Sequence, residues 1–128
     1  MKTKYTVALA ALTGFGLGAI AVQGLHAQAK PVAYVVAEVD VTNPDAYLKE
    51  YAPLAQKALK EGGAKYLALG GKTIAIDGAP PKPRIAVQVY ENIDKAQAAF
   101  ASPAYREARK IGDKYATFRI YAVEGVSQ

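Results

Sequence analysis

The sequence has 128 residues but no cysteine and no tryptophan, and its single histidine is His26. Without cysteine the chain cannot form disulfides or hold iron–sulfur clusters, and it has no thiol nucleophile. A zinc site built from the usual nitrogen and sulfur ligands is excluded by the same shortage. Carboxylates can bind magnesium or calcium, but no EF-hand-like spacing occurs. We therefore predict neither a metal site nor a cofactor.

The first 29 residues have the three parts of an export signal. Lys2 and Lys4 form a basic start, residues 7–22 are an apolar run, and Ala27 and Ala29 flank Gln28 in the small-x-small pattern of a signal-peptidase site. We predict that residues 1–29 are a signal peptide. The mature chain, residues 30–128, is then a single periplasmic or secreted domain.

Two alternatives to this cleavage stay open. Cleavage can occur after Ala27 instead, or the apolar run can remain as a membrane anchor, since it approaches the ~17 to 20 residues that cross a bilayer. Removal of the signal takes His26 with it, which excludes haem held by histidine and general acid–base catalysis by histidine. It also lowers the formal charge from +5 to +3, because Lys2 and Lys4 are lost. Basic and acidic residues are interspersed, so we predict no nucleic-acid binding, and membrane contact only if the anchor remains.

The first half of the mature chain predicts a strand followed by a helix. Residues 33–41 (AYVVAEVDV) alternate with a period of two, as in a strand. Asn43 is a good N-cap, Pro44 a good first helical residue, and Gly62 a good stop. Pro53 lies inside this helix and is expected to kink or loosen it, because proline leaves an upstream carbonyl group without its N–H partner.

The second half adds two strands, a helix and a final strand. The segments are a strand at 64–78 interrupted by Gly70 and Gly71, a proline-rich loop, a strand at 84–91, a helix that starts near Asn92 and restarts at Ser102 and Pro103, and a strand at 116–125. The order βαββαβ predicts a ferredoxin-like α+β fold. Its four-stranded antiparallel sheet has the strand order 4-1-3-2, and both helices lie on one face.

One face of such a sheet carries no helix. The alternation of the strands places on this face Tyr34, Val36, Glu38, Gln88, Tyr90, Arg119 and Tyr121. The set is too aromatic for an ordinary wet surface, and its charges have opposite signs, as expected where charges are buried in pairs. We therefore expect a homodimer in which two sheets pack face to face.

Several segments together resemble a known family. They are AYVVAEVDVTNPDAYLKEY, GGAKYLALGGKTIAIDG, PRIAVQVYEN and SPAYREARKIG…YAVEG, within residues 32–126. In order and spacing they look like the "domain of unknown function 1330" family of the dimeric α/β-barrel superfamily. The resemblance implies a ferredoxin-like protomer, a barrel-like homodimer and a small pocket between sheet and helices. Related branches include cofactor-independent monooxygenases, haem-degrading enzymes and lactone isomerases, and the haem branches use a histidine that the mature chain lacks.

Asp40 is the candidate catalytic residue. It ends the first strand, and the family resemblance places an acid here, where a general base or a ligand-binding group would border the cavity. The alternative is structural, since an aspartate in a turn often accepts backbone amide hydrogen bonds.

The candidate ligand-binding residues are Tyr47, Tyr51, Tyr105, Arg84 and Arg119. Tyr47 and Tyr51 are four residues apart on one helical face, so they line a pocket or fill the core. Tyr105, on the second helix, likewise either lines the pocket or fills the core. The two arginines are able to grip an anionic ligand, or to form an ion pair with Glu38 across the dimer.

These residues leave three functions open. The first is an exported dimer that binds a small molecule. The second is a cofactor-independent oxygenase or isomerase that acts on a small phenolic or lactone substrate, with a tyrosine or Asp40 as base. The third is an interaction dimer with no ligand. The sequence does not decide whether the protein is an enzyme.

Overall fold

The computed structural model describes residues 30–127. The predicted signal peptide, residues 1–29, lies outside the described residues. Within the described range, no helix is both long and apolar enough to cross a bilayer. The strands are β1 (Ala33–Val41), β2 (Lys65–Leu69), β3 (Arg84–Tyr90) and β4 (Ala116–Glu124). The helices are α1 (the consecutive segments Pro44–Ala46, Tyr47–Tyr51 and Ala52–Glu61), α2 (Ile93–Ala101) and α3 (Pro103–Gly112).

The four strands form one sheet in the order β2-β3-β1-β4, with every neighbouring pair antiparallel. The three helices cover one face of this sheet, where Ala33, Val35, Ala37 and Val39 of β1 are buried. This arrangement confirms the predicted ferredoxin-like α+β fold. Alternate residues of each strand therefore face either the helices or the open side of the sheet, and we call these the covered face and the open face.

Helix α1 is loosened next to Pro53, as predicted. Its start is capped by the Asn43 side chain, which accepts a hydrogen bond from the Ala46 amide at 3.3 Å. The segment Tyr47–Tyr51 is a π-helical turn, closed by the Ala52 amide on the Tyr47 carbonyl. Because Pro53 has no N–H to donate, a wider turn with i→i+5 bonding replaces the regular one. The turn leaves Tyr47 and Tyr51 both buried.

The second helical region is broken at Ser102, also as predicted. The Ser102 hydroxyl donates to the Ala99 carbonyl at 2.8 Å and accepts from the Tyr105 amide at 3.2 Å. It therefore ends α2 and caps α3 with one side chain, and Pro103 then occupies the first turn of α3. The break sets the direction of α3 and with it the position of Tyr105.

The prediction that the second strand continues past Gly70 and Gly71 was wrong. Strand β2 ends at Leu69, its irregularity lies between Tyr66 and Ala68, and residues 70–83 form an exposed loop. Continued antiparallel pairing would place Pro80, Pro81 and Pro83 opposite this second half. Proline has no N–H for a ladder hydrogen bond, so the hairpin cannot extend.

The predicted orientation of β3 was also wrong. Ala86, Gln88 and Tyr90 are 8%, 2% and 1% exposed and lie on the covered face. Each is paired with a buried residue of β1, as in the pair Gln88 and Val35. The open face instead receives Ile85, Val87 and Val89, which pair with Glu38, Val36 and Tyr34. The open face is therefore more apolar than the sequence predicted.

Candidate functional site

A cavity lies between the covered face of the sheet and the helices. All four strands and all three helices contribute to its lining. Most of the lining is apolar, from residues such as Val39, Leu59 and Phe118. The polar members are mainly Tyr47, Tyr51, Tyr66, Arg84, Gln88 and Tyr105. The space open to the centres of water molecules is about 40 Å³, which is enough for a few waters.

Arg84 is the one charged side chain in this lining. It is the first residue of β3 and pairs with Val39, which directs it to the covered face. Its guanidinium group lies over the Tyr47 ring, 5.4 Å from the centroid. Among residues 30–127 the ion pairs of the structure leave Arg84 without a carboxylate partner. The cavity therefore carries a positive charge that the described protein does not neutralise.

Gly70 makes room for this guanidinium group. A Cβ atom at Gly70 would lie 2.5 Å from Nη1 of Arg84, and the residue has a φ of +65°. Both the close approach and the left-handed backbone favour glycine here. The first glycine of the predicted interruption thus positions a cavity residue, whereas a Cβ at Gly71 would meet nothing within 4 Å.

Gln88 is the most buried polar side chain of the cavity, with 2% exposure. The Tyr90 hydroxyl donates a hydrogen bond of 2.6 Å to its Oε1 atom. That bond occupies the acceptor end of the amide and leaves the nitrogen end to donate. Because Gln88 lines the cavity, its amide N–H groups are available to whatever occupies that space.

The tyrosines form a connected aromatic wall. The Tyr51 and Tyr105 hydroxyls are 3.1 Å apart, so one donates to the other. The Tyr47 and Tyr51 ring centroids are 5.0 Å apart, and the Tyr105 ring meets Phe100 edge-on at 4.9 Å. Gly112 permits this packing, because a Cβ there would lie 2.5 Å from Cδ1 of Tyr51. The wall therefore presents hydroxyl groups inside an apolar surface.

Burial raises the pKa of three tyrosines in the cavity lining. It raises the pKa of Tyr51 well above its ordinary value of 10.0, and the neighbouring Tyr105 adds to the effect. Burial likewise raises the pKa of Tyr66 to about 12. The pKa of Tyr47 is raised by burial although Arg84 opposes the shift. At neutral pH these groups therefore offer hydrogen bonds and do not act as phenolate bases.

Three residues of the site or its surroundings were not predicted from the sequence, namely Arg109, Tyr66 and Gln88. Nε of Arg109 donates to Oδ1 of Asp113 at 2.7 Å, and its guanidinium lies 3.9 Å from the Phe118 ring centroid. Burial lowers the pKa of Arg109, but the interactions with Asp113 and Tyr105 outweigh it and raise the pKa overall. In the sequence, the i,i+4 spacing of Arg109 and Asp113 was the signal that could have predicted this ion pair. Gln88 was missed because β3 was placed in the wrong orientation.

The structure does not bring Asp40 to the cavity. Asp40 lies on the open face, where it pairs with Thr117 in the sheet and its carboxylate is 3.9 Å from Lys82 Nζ. The turn that follows β1 is held by Thr42, whose amide and hydroxyl donate to the Tyr115 carbonyl at 2.7 and 2.9 Å. The expectation that Asp40 borders the cavity was therefore wrong.

The two candidate arginines lie on opposite faces of the sheet. Arg119 is on the open face, with a side chain that is 74% exposed, and its Nη1 is 3.5 Å from Oε2 of Glu38 in the same chain. The contact with Glu38 therefore joins β1 and β4 of the same chain, whereas the sequence predicted a pair across a dimer. Arg84, which was expected beside Glu38, lies instead with Tyr47, Tyr51 and Tyr105 in the cavity.

No cluster of metal-binding side chains is found within residues 30–127. The site is thus a small, mainly apolar cavity with one cation, one oriented amide and several phenols, on a ferredoxin-like scaffold. The chain belongs to the family described as "Domain of unknown function (DUF1330)", whose profile matches residues 32–126. No curated protein matches the chain.

Solved structures show the same fold at low identity. RPA0582, a protein of unknown function from Rhodopseudomonas palustris, has a TM-score of 0.63 at 14% identity, covering 84% of this chain and 93% of its own. SnoaB, a cofactor-independent oxygenase from Streptomyces nogalater, has a TM-score of 0.56 at 11% identity, covering 77% and 96%. An EthD-like protein from Ralstonia eutropha JMP134 has a TM-score of 0.52 at 18% identity, also covering 77% and 96%. These likenesses concern the fold alone.

Proposed function

We propose that this protein is an exported homodimer that binds a small molecule in the cavity between the sheet and the helices. The observation that carries the proposal is a set of polar side chains in the lining of an otherwise apolar cavity. Arg84 and Gln88 both line this space, and the ion pairs found among residues 30–127 include none of Arg84 with a carboxylate. A few polar groups in an otherwise apolar pocket are typical of a small-molecule site, where they orient the ligand.

The dimer part of the proposal rests on the open face. Tyr34, Tyr121 and Val123 are 37%, 43% and 54% exposed there. They adjoin a row of apolar residues, Val36, Ile85, Val87 and Val89, so the patch is continuous across three strands. Exposed apolar patches of this kind mark contact surfaces. A second copy is the occupant whose surface matches, because the face is self-complementary in charge through Glu38 and Arg119.

The export part of the proposal rests on residues 1–29, with their basic start, apolar run and AQA end. Cleavage after Ala29 leaves a mature chain that begins at Lys30. Periplasmic or extracellular delivery follows from that signal.

A cofactor-independent oxygenase or isomerase is the second candidate function. Its support is the likeness in fold to SnoaB, which is described as a cofactor-independent oxygenase. The cavity gives it less support than ligand binding. Such chemistry needs a group that accepts a proton, whereas the pKa of Tyr51 is raised by burial and Asp40 lies on the other face of the sheet.

Native mass spectrometry of protein exported from its own signal tests the proposal. We expect a dimer of chains that begin at Lys30, with extra mass that is released on denaturation. The variant Ala86→Leu adds three carbon atoms to the cavity wall and should remove the extra mass. Its control is Ala98→Leu, an exposed position of α2 that does not line the cavity.

Three results would contradict it. A monomer at micromolar concentration would refute the sheet-to-sheet dimer. Extra mass that survives in Ala86→Leu would place the ligand elsewhere. A ligand consumed and released in altered form, with multiple turnovers, would move the conclusion to the enzyme candidate.

A further inference from the structure

We infer that the cavity is selective for a short carboxylate of about two or three carbons. This inference rests on the proposed function and adds the chemical class of the ligand. It follows from three properties of the cavity, which are its charge, the direction of its hydrogen-bond donors and its size.

The charge of the lining is positive and unopposed. The residues that line the cavity include Arg84 but no aspartate, glutamate or lysine. A guanidinium group matches a carboxylate because its planar fork places two N–H groups opposite the two oxygens. The Tyr47 ring, 5.4 Å from the guanidinium carbon, restricts its position without neutralising its charge. The lining therefore favours an anionic ligand over a cationic or neutral one.

The fixed donors also point to an acceptor-rich ligand. The Tyr90 hydroxyl donates a hydrogen bond of 2.6 Å to Oε1 of Gln88, so the Gln88 amide presents its N–H groups to the cavity. The Tyr51 and Tyr105 hydroxyls share one hydrogen bond of 3.1 Å, which leaves one of their two protons to donate elsewhere. A carboxylate accepts from all of these donors. An amide of the same shape lacks the negative charge and one of the two acceptor oxygens, so it pairs less well with the Arg84 guanidinium group.

The size of the cavity limits what is attached to the carboxylate. The space of about 40 Å³ open to water centres corresponds to roughly three waters, at about 10 to 15 Å³ for each. An engineered cavity that binds benzene is about 150 Å³. The space therefore suits acetate or propionate, and it is too small for an aromatic ring without repacking of the tyrosine wall.

Gly70 is a positioning residue for this site. Because Gly70 has no Cβ, the Arg84 guanidinium group can lie close to its backbone. A Cβ at this position would lie 2.5 Å from Nη1 of Arg84. A Gly70→Ala change keeps the charge of Arg84 but shifts the guanidinium group. If the inference is right, this change should weaken carboxylate binding while the cavity keeps its positive charge.

The experiment is titration of ¹⁵N-labelled mature protein, residues 30–128, followed by amide chemical shifts. The probes are acetate, propionate, acetamide, benzoate and inorganic phosphate at equal ionic strength. We expect acetate and propionate to saturate with shifts centred on β3 and α1, and to bind at least about 10-fold more tightly than acetamide. That ratio corresponds to the loss of one charge-assisted hydrogen bond.

The matched variants are Arg84→Gln and Arg119→Gln. Both remove one positive charge, but only Arg84 lines the cavity, whereas Arg119 is 74% exposed on the open face. Arg84→Gln should weaken acetate binding by about 10- to 100-fold, and Arg119→Gln should leave it unchanged. The loss of acetate affinity in Gly70→Ala should lie between the losses in these two variants. Thermal melting by circular dichroism shows whether each variant is folded.

The outcomes separate the inference from the proposed function. Acetamide or phosphate binding as tightly as acetate would refute selectivity for a carboxylate, and tighter binding of benzoate would refute the size limit. Equal losses in both arginine variants would show that the anion is held by overall charge and not in the cavity. A neutral ligand released in the native mass spectrum, with no acetate binding, would overturn this inference and leave the proposed function standing.

Discussion

The two faces of the sheet carry similar residues in different surroundings. The covered face presents Arg84 with three buried tyrosines, and the open face presents Arg119 with Tyr34 and Tyr121. Arg84 lies against a ring and a glycine, without a carboxylate among the described residues. Arg119 reaches Glu38 at 3.5 Å and is largely in water. Exposed pairs of this kind contribute about 0 to 1 kcal/mol.

The comparison shows that the residue type does not decide the chemistry of a position. The charge of a guanidinium group in water is screened, whereas the charge of a guanidinium group beside an apolar cavity is screened less and would attract a nearby anion more strongly. The same holds for the phenols, because burial raises the pKa of Tyr51 and Tyr66. The proposed ligand site and the proposed dimer contact therefore depend on different surroundings of the same residue types.

The largest expected effect comes from placing a carboxylate on each face. Val35→Asp on the covered face, at 1% exposure, should unfold the domain, because an unpaired buried charge costs about 4 kcal/mol or more. Val87→Asp on the open face should leave the monomer folded but prevent dimerisation. Circular dichroism and sedimentation equilibrium measure the two effects. A folded Val35→Asp protein, or a dimeric Val87→Asp protein, would contradict the proposed difference between the two faces.

The next effect compares two tyrosines. Tyr51→Ala removes a ring that is 5% exposed and should lower the free energy of unfolding by about 3 to 5 kcal/mol. Tyr121→Ala removes a ring that is 43% exposed and should cost about 0.5 kcal/mol or less in dilute, monomeric protein. Urea denaturation at several protein concentrations gives both values. If Tyr121→Ala costs more as concentration rises, the open face is covered by a second copy.

Two glycines provide a smaller and sharper comparison. Gly112→Ala should cost about 1 to 3 kcal/mol, because its Cβ would lie 2.5 Å from the Tyr51 ring. Gly71→Ala should change stability by about 0.5 kcal/mol or less, since nothing lies within 4 Å of the added atom. Thermal and urea unfolding measure the difference. Equal costs would mean that the Tyr51 ring is free to move away.

The smallest effect is a loss of stability at alkaline pH. The pKa of Tyr66 is raised from 10.0 to about 12 in the folded protein, mainly by burial. Above pH 10 the unfolded chain releases this proton while the folded chain keeps it. Stability is therefore full below pH 10 and declines towards pH 12. Tyr66→Phe should make the decline less steep in urea titrations at pH 9 to 12, and an unchanged slope would refute the assignment to Tyr66.

Much of the fold was predictable because its signals are local. Asn43 and Ser102 are caps recognised by residue type, and Pro53 loosens its helix through a missing N–H group. The orientations of β1 and β4 followed from alternation of apolar and polar residues. The grouping of Tyr47, Tyr51 and Tyr105 was predictable in part, because each lies on the inner side of its helix.

The rest required contacts between distant segments. Strand β3 is apolar on both sides, since Ala86 alternates with Ile85 and Val87, so periodicity alone does not show which side is buried. Gln88 in the middle of the strand favoured the wrong orientation, because a glutamine is seldom buried. Its burial depends on Tyr90, which satisfies its carbonyl oxygen. The length of β2 depended on the prolines in the loop that precedes β3.

By itself, the sequence determined the order of strands and helices, their caps, the break at Ser102 and the content of phenols and charges. These follow from the preferences of neighbouring residues, which act over one or two turns. Only the tertiary structure decided that Arg84 and Gln88 of β3 face the cavity and that Ile85, Val87 and Val89 lie on the open face. The physical reason is the two-residue period of a strand, in which pairing with β1 sends alternate side chains of β3 and β4 to opposite faces.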